Sequence, residues 1–325
     1  MLKNPPFEIR PPKPEDLSAV VELINTSALA DTGKPDTTIE EKRSEWDSSE
    51  LDLSADCRLV LTDEHIPVGY MELWNPPPYT RSHAWGCVHP DFRRRGIGTA
   101  LTTWAEDHAR SLISRAEPGK RVLLKMHTPV SDTGAAVLFK VRGMEVIRCF
   151  HRMRIDMDSS SPPEPPVFPG GLSLRTLRKG ADDKKIYDAL QEGFKDHWDH
   201  VPIPLELWCE RHLEAHDFDE ELFFLVVDSE DKVAAAEVCF PTMGEDPDCG
   251  YIDELAVLQP WRRKGIALNL LRHAFRTFHR RGTYSVQLGV DSENPTGATE
   301  LYEKAGMCIV RRTDLYGKEL RSGED

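Results

Sequence analysis

The chain has 325 residues, of which 39% are hydrophobic and 30% charged, so its length and composition suit a globular protein with two domains. The formal net charge of −14 argues against a general nucleic-acid or anionic-membrane binder, because such proteins must neutralise phosphates. The seven dispersed cysteines, together with the lack of a signal-peptide core or membrane-length apolar run, predict a soluble cytoplasmic protein.

Predicted elements are clearest in the second half of the chain. A first strand at 172–175 precedes a helix at 182–194, whose apolar Ile186, Leu190 and Phe194 have helical spacing. A second helix at 206–213 leads to a hairpin of strands 222–227 and 233–240, and then to a strand at 251–257. A helix at 267–278, a strand at 284–290, a short helix at 297–305 and closing strands at 307–320 follow. The first half repeats this plan over 7–157, which predicts an α/β fold, an α+β mixed sheet.

A cation-rich turn marked by glycine occurs once in each half. The run Arg93-Arg94-Arg95-Gly96-Ile97-Gly98 recurs as Arg262-Arg263-Lys264-Gly265-Ile266-Ala267. Each copy follows an apolar strand-like run and precedes a predicted helix. The backbone N–H groups at such a helix start point to one spot, where the helix dipole also favours an anion. The turn therefore predicts a phosphate-binding site, against the alternative of a solvated helix start.

The duplication extends beyond this turn. Gly134 with Gly297, and Gly143 with Gly306, keep nearly the same separation as the two turns, which indicates two homologous halves. Between them lies a polar, proline-rich segment that cannot form a helix or an interior strand. We expect an N-terminal domain at 1–157, a linker at 158–171 and a C-terminal domain at 172–325.

The turn and a second motif together resemble the GNAT superfamily of acetyl-CoA-dependent N-acetyltransferases. The second motif is the stretch Leu288-Gly289-Val290-Asp291-Ser292-Glu293-Asn294, followed by Leu301-Tyr302-Glu303-Lys304-Ala305-Gly306-Met307. The tandem arrangement is similar to mycothiol synthase-like two-domain acetyltransferases. The resemblance implies two tandem GNAT acyl-CoA N-acyltransferase domains related by internal duplication, the N-terminal one catalytically degenerate.

The resemblance also implies where acetyl-CoA binds. Strand backbone would pair with the pantetheine amides, and the amides of the turn would surround the pyrophosphate. In the second half these residues are Leu255, Ala256, Val257, Arg262, Arg263, Lys264, Gly265, Ile266, Ala267, Leu268 and Asn294. In the first half they are Gly86, Cys87, Val88, Arg93, Arg94, Arg95, Gly96, Ile97, Gly98 and Thr99.

The implied reaction is direct attack of a neutral amine on the thioester, which needs a base, an oxyanion donor and an acid. Tyr302 stands where the family carries its thiolate-protonating tyrosine; the alternative is a tyrosine that only packs in its helix. The first half has Phe139 at this position, and Ser131 in place of Asn294. Catalysis is therefore expected in the C-terminal domain, although water could replace the acid and leave both halves active.

Three carboxylates are candidates for the base. Asp253 and Glu254 are adjacent on a predicted strand, so their side chains should point to opposite faces, with Asp253 on the face of Leu255. Glu237 lies inside an apolar run and needs a reason to be there. The alternatives for Glu237 are an ion pair or an exposed strand face, and the choice of base stays open.

The acceptor site is expected around Phe194, His197, Trp198 and His200, because aromatic rings beside acidic groups suit a cationic amine. The alternative is a packing patch between domains. The His-x-x-His spacing has no further ligand set, so no metal is expected. We expect a small-molecule amine as acceptor and a monomer or homodimer. Other possible functions are a non-catalytic acetyl-CoA sensor or scaffold and a peptide or protein N-acetyltransferase.

Overall fold

The computed structural model describes residues 7–242, 246, 248–294 and 296–324. These residues form two compact units. The first extends to Cys149 and takes up the chain again from Thr313, and the second is Phe150–Arg312. Each unit is a mixed sheet with helices, as the pattern of strands and helices predicts.

The first unit begins with strand β1 and three helices, which are followed by the strands of its sheet. Its elements are β1 (Phe7–Arg10), α1 (Leu17–Thr32), α2 (Ile39–Trp46), α3 (Leu53–Asp56), β2 (Cys57–Thr62), β3 (Pro67–Trp74), β4 (Arg81–Val88), α4 (Ile97–Ser111), β5 (Val122–Pro129), α5 (Thr133–Val141) and the start of β6 (Glu145–Asp156). Strands β1 to β4 pair antiparallel in sequence order, and β4 pairs parallel with β5.

The second unit repeats this order. Its elements are β7 (Ser173–Thr176), α6 (Asp183–Phe194), α7 (Leu205–His212), β8 (Phe223–Val227), β9 (Val233–Phe240), β10 (Cys249–Val257), α8 (Ile266–Arg280), β11 (Ser285–Asp291), α9 (Ala298–Lys304) and the start of β12 (Cys308–Arg321). Strands β7 to β10 pair antiparallel, and β10 pairs parallel with β11. The predicted elements of this half are confirmed, except that the closing region is one long strand.

The two units exchange their last strands. Residues of β6 from Phe150 to Asp156 pair antiparallel with β11, and thus complete the sheet of the second unit. Residues of β12 from Thr313 to Arg321 pair antiparallel with β5, and complete the sheet of the first unit. The expected domains at 1–157 and 172–325 follow the duplication along the chain, whereas the compact units divide at 149/150 and 312/313. The sequence pattern marks both segments as strands, but it does not say which sheet each one joins.

Helix α8 anchors the core of the second unit. It buries one face, which includes Leu270, Leu271, Ala274, Phe275 and Phe278, as the spacing of these residues predicts. The ring of Phe278 lies against β10 at Gly250, where an added Cβ would come within 2.4 Å of the ring. Burial of this face holds α8 against β10, and it therefore also holds the glycine turn that precedes α8.

The proline-rich segment after β6 runs along the outer face of α8. The amide of Val167 donates to Oδ1 of Asn269 at 2.8 Å, and Arg272 forms an ion pair with Glu164 at 2.6 Å. Further along the helix, Nε2 of His279 donates to the carbonyl of Asp158. These contacts recur on one side of the helix, so the linker is attached to the second unit along its length.

Candidate active site

In both units the two parallel central strands diverge. Strand β10 pairs with β11 only from Cys249 to Ile252, and β4 pairs with β5 only from Arg81 to Ala84. The remaining part of each strand leaves its parallel neighbour, so an extended ligand can pair with backbone groups there. The carbonyls of Val88 and Val257 are exceptions, because they accept from Arg93 and Arg262. The segments concerned contain the strand residues expected to hold pantetheine: Gly86, Cys87 and Val88 in β4, and Leu255, Ala256 and Val257 in β10.

The glycine turn has the same backbone conformation in both copies. Gly96 and Gly265 are the N-caps of α4 and α8, with φ of 86° and 79°. Two residues earlier, Arg94 and Arg263 have φ of 62° and 61°, a left-handed conformation that is uncommon for a residue other than glycine. The turn opens each helix towards the strand divergence, and the first amides of a helix have no acceptor within it. The geometry fits a diphosphate held by backbone N–H groups.

The first arginine of each turn has a structural contact. Nε of Arg93 donates to the carbonyl of Val88 at 3.3 Å, and Nε of Arg262 donates to that of Val257 at 2.9 Å. Arg93 also forms an ion pair with Asp31 at 2.7 Å. These side chains join the turn to the end of the preceding strand, so any contact of residues 93 and 262 with a ligand would come from their backbone.

The other cations of the turns are exposed. Arg95 lies over the ring of Phe92 with 4.8 Å to its centroid, and Lys264 lies over the ring of Trp261 at the same distance. These cation–π contacts keep positive charge beside the helix start. Ile97 and Ile266, the first residues of the two helices, are buried and hold the turn on the core.

A β-bulge is present in β10 of the second unit and absent from the corresponding strand pairing of the first unit. In β10, Ile252 pairs with Cys239 and Glu254 pairs with Val238, so Asp253 has no partner in β9. The corresponding pairing of β4 with β3 runs from Val88 to His83 without a shift. The expectation that Asp253 and Glu254 point to opposite faces is wrong, because a bulge inserts one extra residue and breaks the alternation of the strand.

Both carboxylates approach one imidazole. Nε2 of His212, the last residue of α7, lies 3.3 Å from Oδ2 of Asp253 and 3.5 Å from Oε2 of Glu254. The indole Nε1 of Trp208 donates to the same Glu254 oxygen at 3.1 Å. Burial raises the pKa of Glu254, and the nearby His212 partly offsets this effect. Burial lowers the pKa of His212, but hydrogen bonding to Asp253 and the charge of Glu254 outweigh it, so the net pKa is raised.

One ligand atom from each of His212, Asp253 and Glu254 lies within 4.8 Å of the others, a spacing that a cation could bridge. The contacts of the three groups are accounted for without one. Nε2 of an imidazolium would donate towards both carboxylates, and Trp208 donates to the Glu254 oxygen. The cluster therefore has groups that can exchange a proton as well as donor atoms spaced for a cation.

The first unit has a different network at this place. Its helix α2 has the same length as α7, with Lys42 and Trp46 where α7 has Trp208 and His212. Nζ of Lys42 lies 3.3 Å from Oε2 of Glu72, which also accepts from the Tyr70 hydroxyl at 2.7 Å. Lys42 and Glu72 are buried, so an internal ion pair occupies this face of the first unit.

Tyr302 lies on α9 and is 9% exposed. Burial, with smaller contributions from Glu237 and Tyr251, raises the pKa of its hydroxyl, so the group remains protonated at neutral pH. The equivalent Phe139 on α5 is also buried and packs edge-on against Tyr316, with ring centroids 5.3 Å apart. The two copies therefore share the packing position and differ in the hydroxyl.

Glu237 lies on β9 opposite Leu255. It is fully buried, and neither carboxylate oxygen has a hydrogen-bond partner among the residues that the structure describes. Neither alternative raised from the sequence, an ion pair or an exposed strand face, holds. Burial raises the pKa of Glu237 well above its ordinary value and so favours the protonated, neutral form of this carboxyl.

The expected acceptor residues begin with Phe194, the last residue of α6, and continue into the segment after this helix. Helix α6 packs directly on β10. A Cβ added to Gly193 would lie 2.4 Å from that of Ala256, and Nη2 of Arg262 donates to the Gly193 carbonyl at 3.2 Å. Phe194 contacts His197 edge-on at 5.8 Å. Nε2 of His200 is buried without a described partner, and burial lowers the pKa of this imidazole. Phe194 thus directly follows the glycine that meets the strand of the site, while Trp198 lies in the connection to α7.

Asn294 stabilises the turn before α9. Its side-chain oxygen accepts from the amide of Thr296 at 2.9 Å and from the Thr296 hydroxyl at 2.6 Å. This is an Asx-type turn. The side-chain oxygen is therefore engaged in local structure at the entry to the helix that carries Tyr302.

Two segments of the chain, residues 22–144 and 184–307, each match the Acetyltransferase (GNAT) family. The chain belongs to the GNAT acetyltransferase family. As a GNAT N-acetyltransferase it uses an acyl-CoA donor, and enzymes of this family take a small-molecule or peptide acceptor.

No helix in the described part of the chain is long and apolar enough to cross a membrane.

Mycothiol acetyltransferases match most of the chain. Mycothiol acetyltransferase from Streptomyces scabiei is 28% identical over 80% of this chain and 79% of its own length. The enzyme of the same name from Thermobispora bispora is 30% identical over 75% and 77%, respectively. This GNAT chain is thus similar to mycothiol acetyltransferases over about three quarters of its length or more.

Solved structures share the whole fold. A GCN5-related N-acetyltransferase from Sphaerobacter thermophilus has a TM-score of 0.84 at 32% identity, over 100% of this chain and 99% of that one. A tandem GNAT protein from the clavulanic acid biosynthesis pathway has a TM-score of 0.76 at 17% identity, over 98% and 100%. The second likeness shows the fold alone, and it confirms the tandem arrangement of two GNAT domains.

The sequence pattern does not mark His212 as a functional residue. Its position at the end of a predicted helix indicated only that it belonged to the 206–213 segment. Its contact with both carboxylates depends on the bulge at Asp253, for which the strand pattern carries no signal.

Proposed function

We propose that this GNAT protein transfers an acetyl group from acetyl-CoA to the primary amine of a small molecule, and that catalysis takes place in the second unit. The observation that carries the assignment is the bulge in β10, which brings Asp253 and Glu254 to His212. The unshifted β3–β4 pairing of the first unit gives no such cluster. Tyr302 in place of Phe139 supports the same assignment.

Acetyl-CoA, when bound, supplies the activated thioester. Backbone groups of Leu255, Ala256 and Val257 would hold its pantetheine in the divergence between β10 and β11. The helix start at Ile266–Leu268 would hold the pyrophosphate beside the exposed Arg263 and Lys264. An added Cβ at Gly265 would meet nothing closer than the Asn269 side chain at 3.8 Å, so the turn leaves open space for a ligand.

The chain supplies the proton transfers. Asp253, with 33% of its side chain exposed, is the carboxylate best placed to accept a proton from the acceptor ammonium, and Glu254 is the second candidate. The raised pKa of the buried Glu237 argues against it as a base, because a base must start ionised. Tyr302 would return a proton to the thiolate that leaves. This chemistry requires no metal.

The acceptor would bind where α6 meets β10. Phe194, His197, Trp198 and His200 would contribute aromatic and imidazole groups, and Asp253 would contribute the charge that attracts an ammonium. The similarity to mycothiol acetyltransferases makes the amine acceptor of those enzymes the first compound to test.

The first unit keeps the diverging strands and the glycine turn but has Phe139 and the Lys42–Glu72 ion pair. We therefore assign it acetyl-CoA binding at Gly86–Val88 and Arg93–Thr99 without turnover. A second candidate function of this unit is that of an acetyl-CoA sensor.

Release of free CoA from acetyl-CoA tests the proposal, measured with a thiol reagent across a panel of small primary amines and a panel of short peptides. Amine-dependent release with acetylated product detected by mass spectrometry is the expected result. Release with peptides alone would overturn the small-molecule assignment. Saturable acetyl-CoA binding without release on either panel would favour the sensor.

A further inference from the structure

The cluster at the bulge contains a group beyond the base candidates. We propose that Asp253 and His212 together form the general base. Asp253 takes the proton that the substrate amine must lose, and His212 then takes it from Asp253. This inference rests on the proposed acetyl transfer in the second unit and deepens it.

A hydrogen bond to the backbone sets the tautomer of His212. Nδ1 lies 2.9 Å from the carbonyl oxygen of Trp208. A carbonyl can only accept, so Nδ1 carries the hydrogen and donates. In the neutral imidazole Nε2 is then unprotonated, with its lone pair directed at Asp253 and Glu254. When Nε2 gains a proton, it becomes a donor towards both carboxylates.

Stacking fixes the plane of the imidazole. The ring of His212 lies 4.6 Å from that of Trp208 with an interplanar angle of 17°, and Phe240 lies on it at 6.3 Å. The buried ring therefore cannot turn Nε2 away from the carboxylates without disturbing both contacts.

The two carboxylates have separate roles. Glu254 is held by the Trp208 indole and has 22% of its side chain exposed. Asp253 is the bulged residue and the more exposed of the two, so it is the one that an acceptor can reach. Glu254 orients the imidazole and balances the imidazolium charge, which makes it a positioning residue.

The proton balance is complete. The acceptor ammonium gives one proton to the Asp253 carboxylate, and Nε2 takes one from that carboxylate. The neutral amine then attacks the thioester carbonyl, its new C–N bond replaces the C–S bond, and the thiolate is protonated by Tyr302. The His212 imidazolium then passes its proton to water, and the second proton of the amine restores the Tyr302 hydroxyl, so one proton is released for each acetyl group transferred.

Other ionisable groups surround this pair. From the segment after α7, Asp217 faces Asp253 and lies beside His216, and burial raises the pKa of Asp217. From β9, the Cys239 thiol is fully buried and its pKa is raised by burial. Asp253 and Glu254 on β10 are the anions that act on His212 itself.

The pH dependence of kcat/KM tests the relay, with His212→Gln as the variant and His65→Gln as the control. His65 is in the first unit and its side chain is 79% exposed. Because Nε2 must be unprotonated to accept, wild-type kcat/KM should rise through the pKa of His212, above that of an ordinary histidine. In His212→Gln this limb should be absent and kcat/KM at pH 8 should fall by ~10²-fold. The KM for acetyl-CoA should not change.

Imidazole NMR gives a readout that does not require turnover. The pKa of His212 should be raised in the wild type and should fall in Asp253→Asn. A pH profile that keeps its shape in His212→Gln while the rate falls would overturn the relay and leave a packing role. Wild-type protein without any acetyl transfer would instead overturn the proposed function on which the relay rests.

Discussion

Tyr302 and Phe139 are both buried, 9% and 6% exposed, at the matching place of helices α9 and α5. Each packs in the hydrophobic core of its own unit, and the two side chains differ by the hydroxyl group. The Tyr302 hydroxyl has a pKa raised by burial, so it holds its proton at neutral pH and is available as a donor.

Tyr302→Phe should therefore lower kcat by ~10²-fold, the range found for loss of a general acid, and leave the KM for acetyl-CoA unchanged. Steady-state CoA release measures both constants. Phe139→Tyr is the matched control in the first unit and should leave kcat as it is. Equal loss of kcat in the two variants would mean that packing at this place, rather than proton donation, limits the rate.

The glycine turns predict separable acetyl-CoA sites. In Gly265→Glu and Gly96→Glu a carboxylate would stand at the helix start and repel the pyrophosphate, since like charges in contact cost several kcal/mol. Titration calorimetry should show one of two sites weakened by at least ~10-fold in each variant.

Gly282→Glu controls for backbone strain in these variants. Gly282 has φ of 83°, comparable to the 86° and 79° of the two turns, and open space at its Cβ. It lies after the end of α8, away from the helix start, so its substitution should leave both sites intact. Weakening in this variant as well would attribute the effect to strain rather than charge.

The sequence predicts the repeated glycine turns but not the cluster of side chains at the bulge. Gly96 and Gly265 lie in a local pattern, because glycine is the usual residue for a left-handed conformation at a helix start, and the sequence therefore predicts both turns. The bulge at Asp253 depends on the pairing of β10 with β9, and a strand pattern of alternating residues carries no sign of it. The sequence also does not predict that β6 joins the sheet of the second unit, because the antiparallel partner of a strand is decided by long-range contacts.

A buried aspartate contributes to the stability of the second unit. Asp182 is fully buried and accepts from Arg175 at 2.7 Å and from Arg178 at 2.8 Å. Asp182→Asn removes the buried charge and leaves Arg175 and Arg178 with the more exposed Asp231 as their anion, which should lower the free energy of unfolding by about 2 kcal/mol, within the range for hydrogen bonds to a charged group. Urea denaturation followed by tryptophan fluorescence measures this loss.

The duplication offers the matched variant, because Asp16 forms a comparable pair with Arg10 at 2.7 Å in the first unit. Asp16 is more exposed, with 16% of its side chain accessible, so Asp16→Asn should cost less. An equal or larger loss in Asp16→Asn would contradict the argument from burial.

These arginines also set a pH dependence of stability. Hydrogen bonds from Arg178 and Arg175 hold the pKa of Asp182 well below its usual range. Because the folded-state pKa is lower than that of the unfolded chain, the contribution is complete above about pH 4 and is lost as the pH falls towards the folded pKa. Wild-type protein should therefore lose stability more steeply than Asp182→Asn below pH 4 in the same urea experiment.

The strand exchange decides which fragments of the chain can fold. Residues 150–312 contain every strand of the second unit in one continuous piece, including the part of β6 that pairs with β11. Residues 172–325 lack β6 and keep the end of β12, whose partner β5 belongs to the first unit. An unpaired β11 would present a row of unsatisfied backbone groups at the sheet edge.

The fragment 150–312 should therefore be soluble and unfold cooperatively, whereas 172–325 should aggregate or unfold without a transition. Thermal unfolding followed by circular dichroism, after matched expression of the two fragments, distinguishes them. Adding residues 150–171 to the second fragment should restore a cooperative transition, because it returns the missing strand together with the linker that lies along α8. A cooperative transition in 172–325 at the same temperature as in 150–312 would show that β6 is dispensable.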